Sequence, residues 1–203
     1  MSVLAPVLPW RMAGFAAALH RAETEAPLPD GAPSATQVHA IREREPGAWH
    51  ELFNREMPAI YRYALSRLGD GGRAEDATSE VFEQAWRHAE TFEDRGLPVR
   101  AWLFGIARNV VGSHRRSWFR RAPHLAIEAF DGAGDDASLS PERLDLARAV
   151  AALEPAHAEV IGLRFVHGLS LQEAADVIGA SVDAVKGRQA RALAALRERL
   201  VER

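Results

Sequence analysis

The sequence has no cysteine, which excludes disulfide bridges, thiolate zinc sites and cysteine nucleophiles and suits a reducing compartment. It has no apolar run long enough to span a bilayer, and Pro6, Pro9, Trp10 and Arg11 break the N-terminal apolar stretch that a signal peptide would need. The expected location is the cytoplasm, with no direct membrane insertion. A glycine-rich phosphate loop, a Gly-x-Ser-x-Gly elbow and a His-Glu-x-x-His stretch are all missing, so no enzyme activity, cofactor or small-molecule substrate is expected. Metal chemistry has equally little to work with. Glu75, Asp76, Glu80 and Glu83 spread around a helix instead of converging, and no histidine completes a ligand set. His157 and His167, on either side of a helix, have neither metal spacing nor a neighbouring nucleophile and read as surface residues.

What is present supports folded cores. Of the 203 residues 47% are hydrophobic and 26% charged, which excludes a wholly disordered chain and allows one domain or two small ones. The net charge of −3 becomes informative only when divided along the chain, because nucleic-acid binding depends on local clusters of Lys and Arg. Arg95 to Arg121 contains seven arginines and no acid, Glu128 to Asp145 contains six acids and one arginine, and the stretch from Ser181 onward is basic again. Two basic segments flank an acidic connector.

Residues 1–45 are rich in Ala and Pro, carry turn signals such as Pro29-Asp30-Gly31 and show no sustained period; they read as a largely flexible extension, with room for a short helix at Met12 to Ala22. From Pro46, Leu52, Phe53, Ile60, Tyr61, Ala64, Leu65 and Leu68 recur at helical steps, and Asp70-Gly71-Gly72 is expected to end that helix. A second helix from about Ala74 to Ala89 buries Ala77, Val81, Phe82, Ala85 and Trp86. Pro98 suits the first turn of a third, with Trp102, Leu103, Ile106, Ala107 and Val110 as its apolar stripe and a basic far end. Residues 122–140 have the glycine content and polarity of a flexible linker. Beyond it, Ser140-Pro141 and Pro155 open two further helices, the second stopped by Gly168.

Ser170 to Leu200 carries the punctuation of a helix-turn-helix. Ser170-Leu171-Gln172-Glu173 is a capping box, in which serine and glutamate side chains each satisfy a backbone donor. Gly179 stands where the first helix must reverse, and Ser181 caps the second. Val182, Val185, Leu193, Leu196 and Leu200 are expected to face the core. That leaves Ser181, Asp183, Ala184, Lys186, Gly187, Arg188 and Arg191 as DNA-facing candidates, where cations can neutralise phosphates and arginine can pair with guanine.

The two segments together resemble an extracytoplasmic-function (group four) RNA polymerase sigma factor over roughly two-thirds of the chain. Leu52 to Leu68, Glu75-Asp76-Ala77 and Val81-Phe82-Glu83-Gln84-Ala85-Trp86-Arg87 are similar to the part of sigma domain two that docks on the polymerase clamp. Trp102-Leu103-Phe104-Gly105-Ile106-Ala107-Arg108-Asn109, with His114 and Arg116, is similar to the part that opens and reads the −10 element. Leu153-Glu154-Pro155 through Phe165, Gly168-Leu169-Ser170 and Ser181 to Lys186 look like sigma domain four, the reader of the −35 element. Two departures stand out: Ser113 where the family usually has aspartate, and Gly187 where serine is more common.

The resemblance implies an all-α fold of two small helical domains: a domain two-like three- or four-helix bundle at 46–121 and a domain four-like helix-turn-helix at 141–203, joined by the flexible linker. It implies that the −10 element is held and melted by Arg100, Arg108, Asn109, His114, Arg115, Arg116 and Trp118, since a melted strand needs a basic groove and planar side chains. By residue position alone, Trp102 reads first as core and Trp86 as core, while Trp118 and Phe119 lie among arginines. Polymerase contact falls to Glu75, Asp76, Glu80, Glu83 and Gln84. The implied partners are core RNA polymerase (β′ clamp and β flap), promoter DNA and an anti-sigma factor. Rival readings are a polymerase-independent helix-turn-helix regulator of duplex DNA and a helical interaction protein. The opposite local charges also suggest that the linker acids Asp131, Asp135 and Asp136 shield the basic third helix.

Overall fold

The computed structural model describes residues 35–92, 98–121 and 148–201. Among them there are helices and no strand. The first helix, α1 (Ala35–Arg42), lies within the segment read from sequence as a flexible extension. It is anchored by Val38 and the fully buried Ile41, and the Trp49 indole donates to the Ile41 carbonyl at 2.9 Å. Arg44 then takes a left-handed backbone (φ 57°). Its guanidinium donates to the carbonyls of Trp86 and Arg87, which satisfies a helix C-terminus 42 residues away.

Pro46 supplies the preorganised first turn of α2 (Pro46–Leu68), and Gly69 closes it at φ 66°. The Asp70-Gly71-Gly72 break expected to end this helix instead starts the next one. Asp70 accepts from the Arg73 backbone N–H at 2.8 Å as the N-cap of α3 (Gly71–Arg87). After a short 3₁₀ turn at Ala89–Thr91, α4 (Val99–Arg121) completes a bundle packed on α2 and α3. Its core holds Trp49, Leu52, Met57, Ile60, Phe82, Leu103 and Phe104. Edge-to-face rings bind it together, Phe53 on Phe82 at 4.8 Å and Trp49 on Trp86 at 5.0 Å. Trp86 and Trp102 are partly buried rather than fully internal, Trp102 lying against Phe92.

The described part of the second bundle opens with a helical turn at 148–151, and the helix start expected at Ser140-Pro141 lies outside the described residues. Helix α5 (Pro155–Ile161) follows and widens into a π-helical turn at Gly162–Val166, which the sequence did not announce. Gly168 (φ 71°) redirects the chain into α6 (Leu171–Ile178). There the capping box is formed in full: Ser170 Oγ accepts from Glu173 N, and Glu173 accepts from Ser170 N. Ser170→Ala should remove one of these bonds and lower stability by about 1 kcal/mol, measured as a shift in the urea midpoint. Gly179 (φ 73°) makes the tight turn, and Ser181 accepts from Ala184 N to start α7 (Val182–Val201).

Helix α7 faces inward differently from the sequence reading. Val185 and Leu196 are buried as expected and Val182 is partly buried, but Leu193 and Leu200 are exposed. Ala192, with Leu196, fills the seam against Ala149, Leu153 and Ile161 instead. The two bundles also share apolar surface. Helix α6 packs on α4, and Val160, Leu163, Leu169, Ala174 and Val185 belong to the same buried cluster as Phe104 and Val110. The proposed linker, the N-terminal helix at Met12 to Ala22 and the acids Asp131, Asp135 and Asp136 lie outside the described residues.

Candidate nucleic-acid interface

The turn set by Gly179 and the Ser181 cap presents one side of α7 outward. Ser181, Asp183, Lys186 and Arg191 are exposed, while Ala184, Gly187 and Arg188 are half-buried. Val185, fully buried, anchors this face to α6. Lys186, the only lysine in the chain, lies 3.8 Å from Asp183 in an exposed pair that holds neither side chain firmly. From the π-helical turn, Arg164 donates to Gln189 Oε1 at 3.1 Å and to the Leu169 carbonyl, fixing α7 against the segment that precedes α6. At Gly187 a Cβ would meet only the Arg191 guanidinium at 3.6 Å, an ordinary contact. Gly187→Ala is therefore expected to raise stability by about 1 kcal/mol, seen as a higher unfolding midpoint.

Along α4 the candidate residues separate into an outer and an inner set. Asn109, Ser113 and Arg116 form an exposed stripe at steps of four and three residues. His114 is half-buried, with Nε2 2.8 Å from Glu80 Oε2 on α3. Glu80 also accepts from Gln84 at 3.0 Å, so one proposed strand contact and two proposed polymerase contacts form a single network. Glu83 pairs with Arg87 at 3.1 Å, whereas Glu75 and Asp76 are exposed at the start of the helix.

The inner set differs from a row of solvent-facing cations. The Arg100 side chain is 17% exposed and sits 3.7 Å from Glu56, with its guanidinium over the Phe104 ring. Glu56 is itself buried and accepts from Arg55 Nε at 2.8 Å. Arg108 donates through Nε to Glu159 Oε1 at 3.0 Å. Arg115 is half-buried, its pKa lowered by desolvation and by the nearby Arg67. The side chain of Trp118 lies outside the described residues. Among the described residues no group of acids and histidines could hold a metal ion, and no helix is long and apolar enough to cross a membrane.

Two contributors escaped the sequence reading. Glu159 from α5 reaches Arg67 on α2 at 3.2 Å as well as Arg108 on α4. His167, expected at the surface, is buried at 4% exposure. Its ring stands 5.0 Å from that of Phe104 and 5.7 Å from that of Tyr63. Desolvation, then the charges of Arg62, Arg100 and Arg67, push its pKa down to about 3, so it is neutral at physiological pH. His157 is half-buried, beside Glu154. Glu159 and His167 depend on contacts between bundles, for which no local pattern exists; Glu159 is an ordinary acid on a short helix when read in sequence.

Comparison with known proteins matches the two bundles separately. Residues 52–120 match the family model for Sigma-70 region 2, and residues 149–198 that for Sigma-70, region 4. The chain is 34% identical over 174 residues to the ECF RNA polymerase sigma factor SigL of Mycobacterium tuberculosis, covering 82% of this chain and 96% of that one. It is 35% identical over 175 residues to the ECF RNA polymerase sigma factor BldN of Streptomyces coelicolor, covering 82% of this chain and 66% of the relative. Among solved structures, CnrH in complex with the cytosolic domain of CnrY aligns with a TM-score of 0.61 at 30% identity, covering 82% of this chain and 96% of that one. The sigma factor RpoE of Bartonella quintana in complex with the anti-sigma factor NepR aligns with a TM-score of 0.59 at 28% identity, covering 74% and 95%.

Proposed function

This chain belongs to the extracytoplasmic-function class of RNA polymerase sigma factors, and from that premise we propose how its surfaces divide the work of transcription initiation. It acts in the cytoplasm with core polymerase and promoter DNA and carries out no covalent step of its own. Helix α7 enters the major groove of the −35 element. There Lys186 and Arg191 contact phosphate or guanine, while Ser181 and the exposed backbone end of the helix approach the bases.

The −10 strand lies along α4, with Asn109, Ser113 and Arg116 as its outermost contacts. Ser113, where an aspartate is usual in the family, removes a negative charge from that stripe and lets a phosphate approach more closely. Glu75 and Asp76, exposed on α3, meet a basic surface of the polymerase. An anti-sigma protein is the expected regulator, as in the complex of RpoE with the anti-sigma factor NepR.

The observation that carries this reading is the arrangement of α7. A capped, glycine-turned helix is held by buried Val185 and presents its cations to solvent, in the same chain as the arginine-bearing α4. Run-off transcription with purified core polymerase on randomised promoter templates tests it. Defined transcripts should appear only when both proteins are present. Failure to bind cognate core and to yield transcripts would move the function to a polymerase-independent regulator.

A further inference from the structure

The joint between the bundles places an acid where the proposed −10 surface has its cations. Glu159 is 86% withdrawn from solvent in its side chain, at 14% exposure, and it receives Arg108 from α4 and Arg67 from α2 on one oxygen, Oε1. A carboxylate held by two guanidinium groups uses the same charge-assisted hydrogen bonds that a DNA phosphate would use. Beside it, His167 is packed between the rings of Phe104 and Tyr63 with no hydrogen-bond partner for Nδ1 among the described residues. The π-helical turn leads directly into His167, whose backbone N–H donates to Gly162 O at 2.9 Å. A buried imidazole lacking one bond is a weak point in an otherwise apolar contact.

We propose that this joint is a self-occupied latch, in which Glu159 takes the place of a DNA phosphate at Arg67 and Arg108 and holds the two bundles closed until promoter DNA or polymerase displaces it. The proposal rests on the reading of α4 as the −10 surface. It assigns to a residue of the second bundle the shielding role that the acidic linker suggested on charge alone.

Protonation gives the latch a second signature. The groups facing His167 are Arg62, Tyr63 and Arg67 from α2 and Arg100 and Phe104 from α4, while Arg108 and Glu159 act on the neighbouring Tyr63. The arginines remain cationic throughout the useful pH range. In the closed joint His167 titrates at about 3; in an opened one it returns to the ordinary value of about 6.5. The lowered value means that the opened form binds the proton more tightly. The joint is therefore fully favoured above about pH 6.5 and loses closure about tenfold per unit as pH falls from there toward the closed-state value.

Because the native sequence has no cysteine, the full-length chain can be labelled with a donor and acceptor at Glu51→Cys and Glu198→Cys, both on exposed positions away from the joint. Single-molecule energy transfer should show a mainly closed population at pH 7.5. Glu159→Gln should open it about tenfold and tighten binding of a fluorescent −10 single strand by a similar factor, with far-UV circular dichroism unchanged. Adding Arg108→Gln to Glu159→Gln should produce no further opening, the mark of one shared interaction. Lowering the pH to 5.5, where carboxylates remain ionised, should open the parent about tenfold, and His167→Phe should abolish that dependence. No opening in Glu159→Gln overturns the latch whatever the DNA does. Opening without tighter strand binding overturns the phosphate-site part and removes Arg108 from the −10 surface, while leaving the transcription test of the family function untouched.

Discussion

Glu56→Ala is expected to destabilise the chain by about 3–5 kcal/mol, the range for breaking a buried ion pair by removing one partner. Glu56 projects from the middle of α2 and is buried. Its carboxylate lies between Arg55 at 2.8 Å and Arg100 at 3.7 Å. Arg100 in turn stacks its guanidinium over Phe104, a ring that also forms one wall around His167. Withdrawing the carboxylate leaves positive charge of low exposure beside Arg62, whose own pKa is already lowered by desolvation and by Arg100. Glu56→Gln preserves the volume and one acceptor, so it separates charge from packing. If the carboxylate charge dominates, glutamine should lose most of what alanine loses; if packing dominates, glutamine should stay near the parent. Urea unfolding followed by circular dichroism measures both variants, and a loss below about 1 kcal/mol for alanine would show that the pair merely occupies space.

The features legible in the sequence are those whose cause is local. Pro46 begins α2 because its missing donor has no helical partner there, and Ser170 with Glu173 begins α6 by reciprocal capping. Gly168 and Gly179 occupy left-handed positions that other residues adopt only with strain. The same logic misleads at Asp70-Gly71-Gly72. Two glycines read as a break, yet Asp70 is a cap, and the break had already been made by Gly69. On α7, large leucines outweigh alanine in any hydrophobic pattern, whereas the second bundle closes at Ala149 and Ala192, where small size lets helices approach. Leu193 and Leu200 consequently stay outside.

At the functional surface the same division holds. The exposure of the candidate residues Ser181, Asp183, Lys186 and Arg191 follows from the position of the turn, so their outward placement could be read from spacing. The fates of Arg100 and Arg108 could not. Each is paired with an acid from another helix, Glu56 on α2 and Glu159 on α5. An arginine-rich helix is basic in sequence, but its available charge is what remains after such internal pairs are formed. This is also why α1 was missed: among the described side chains of its short span only Val38 and Ile41 are buried, and their value depends on Trp49 receiving them.

The double substitution Lys186→Ala with Arg191→Ala is expected to reduce transcription from the selected promoter by at least about 30-fold, since base-directed contacts contribute about 1–3 kcal/mol each. Both side chains are exposed. The Lys186–Asp183 pair is too solvated to matter for folding, so the unfolding midpoint should remain that of the parent. The single substitutions divide the role further. If Lys186 contacts phosphate, its loss weakens binding alike on matched and altered −35 sequences and lowers the salt slope by about one. If Arg191 reads a guanine, its loss flattens preference at one base pair and leaves the others intact. Asp183→Ala runs the other way: removing an anion from the DNA-facing side should raise affinity for unrelated duplexes and so reduce discrimination. Retention of full activity and base preference by the double variant would place the −35 contact on another face of the second bundle, and with it the orientation proposed for α7 would fall.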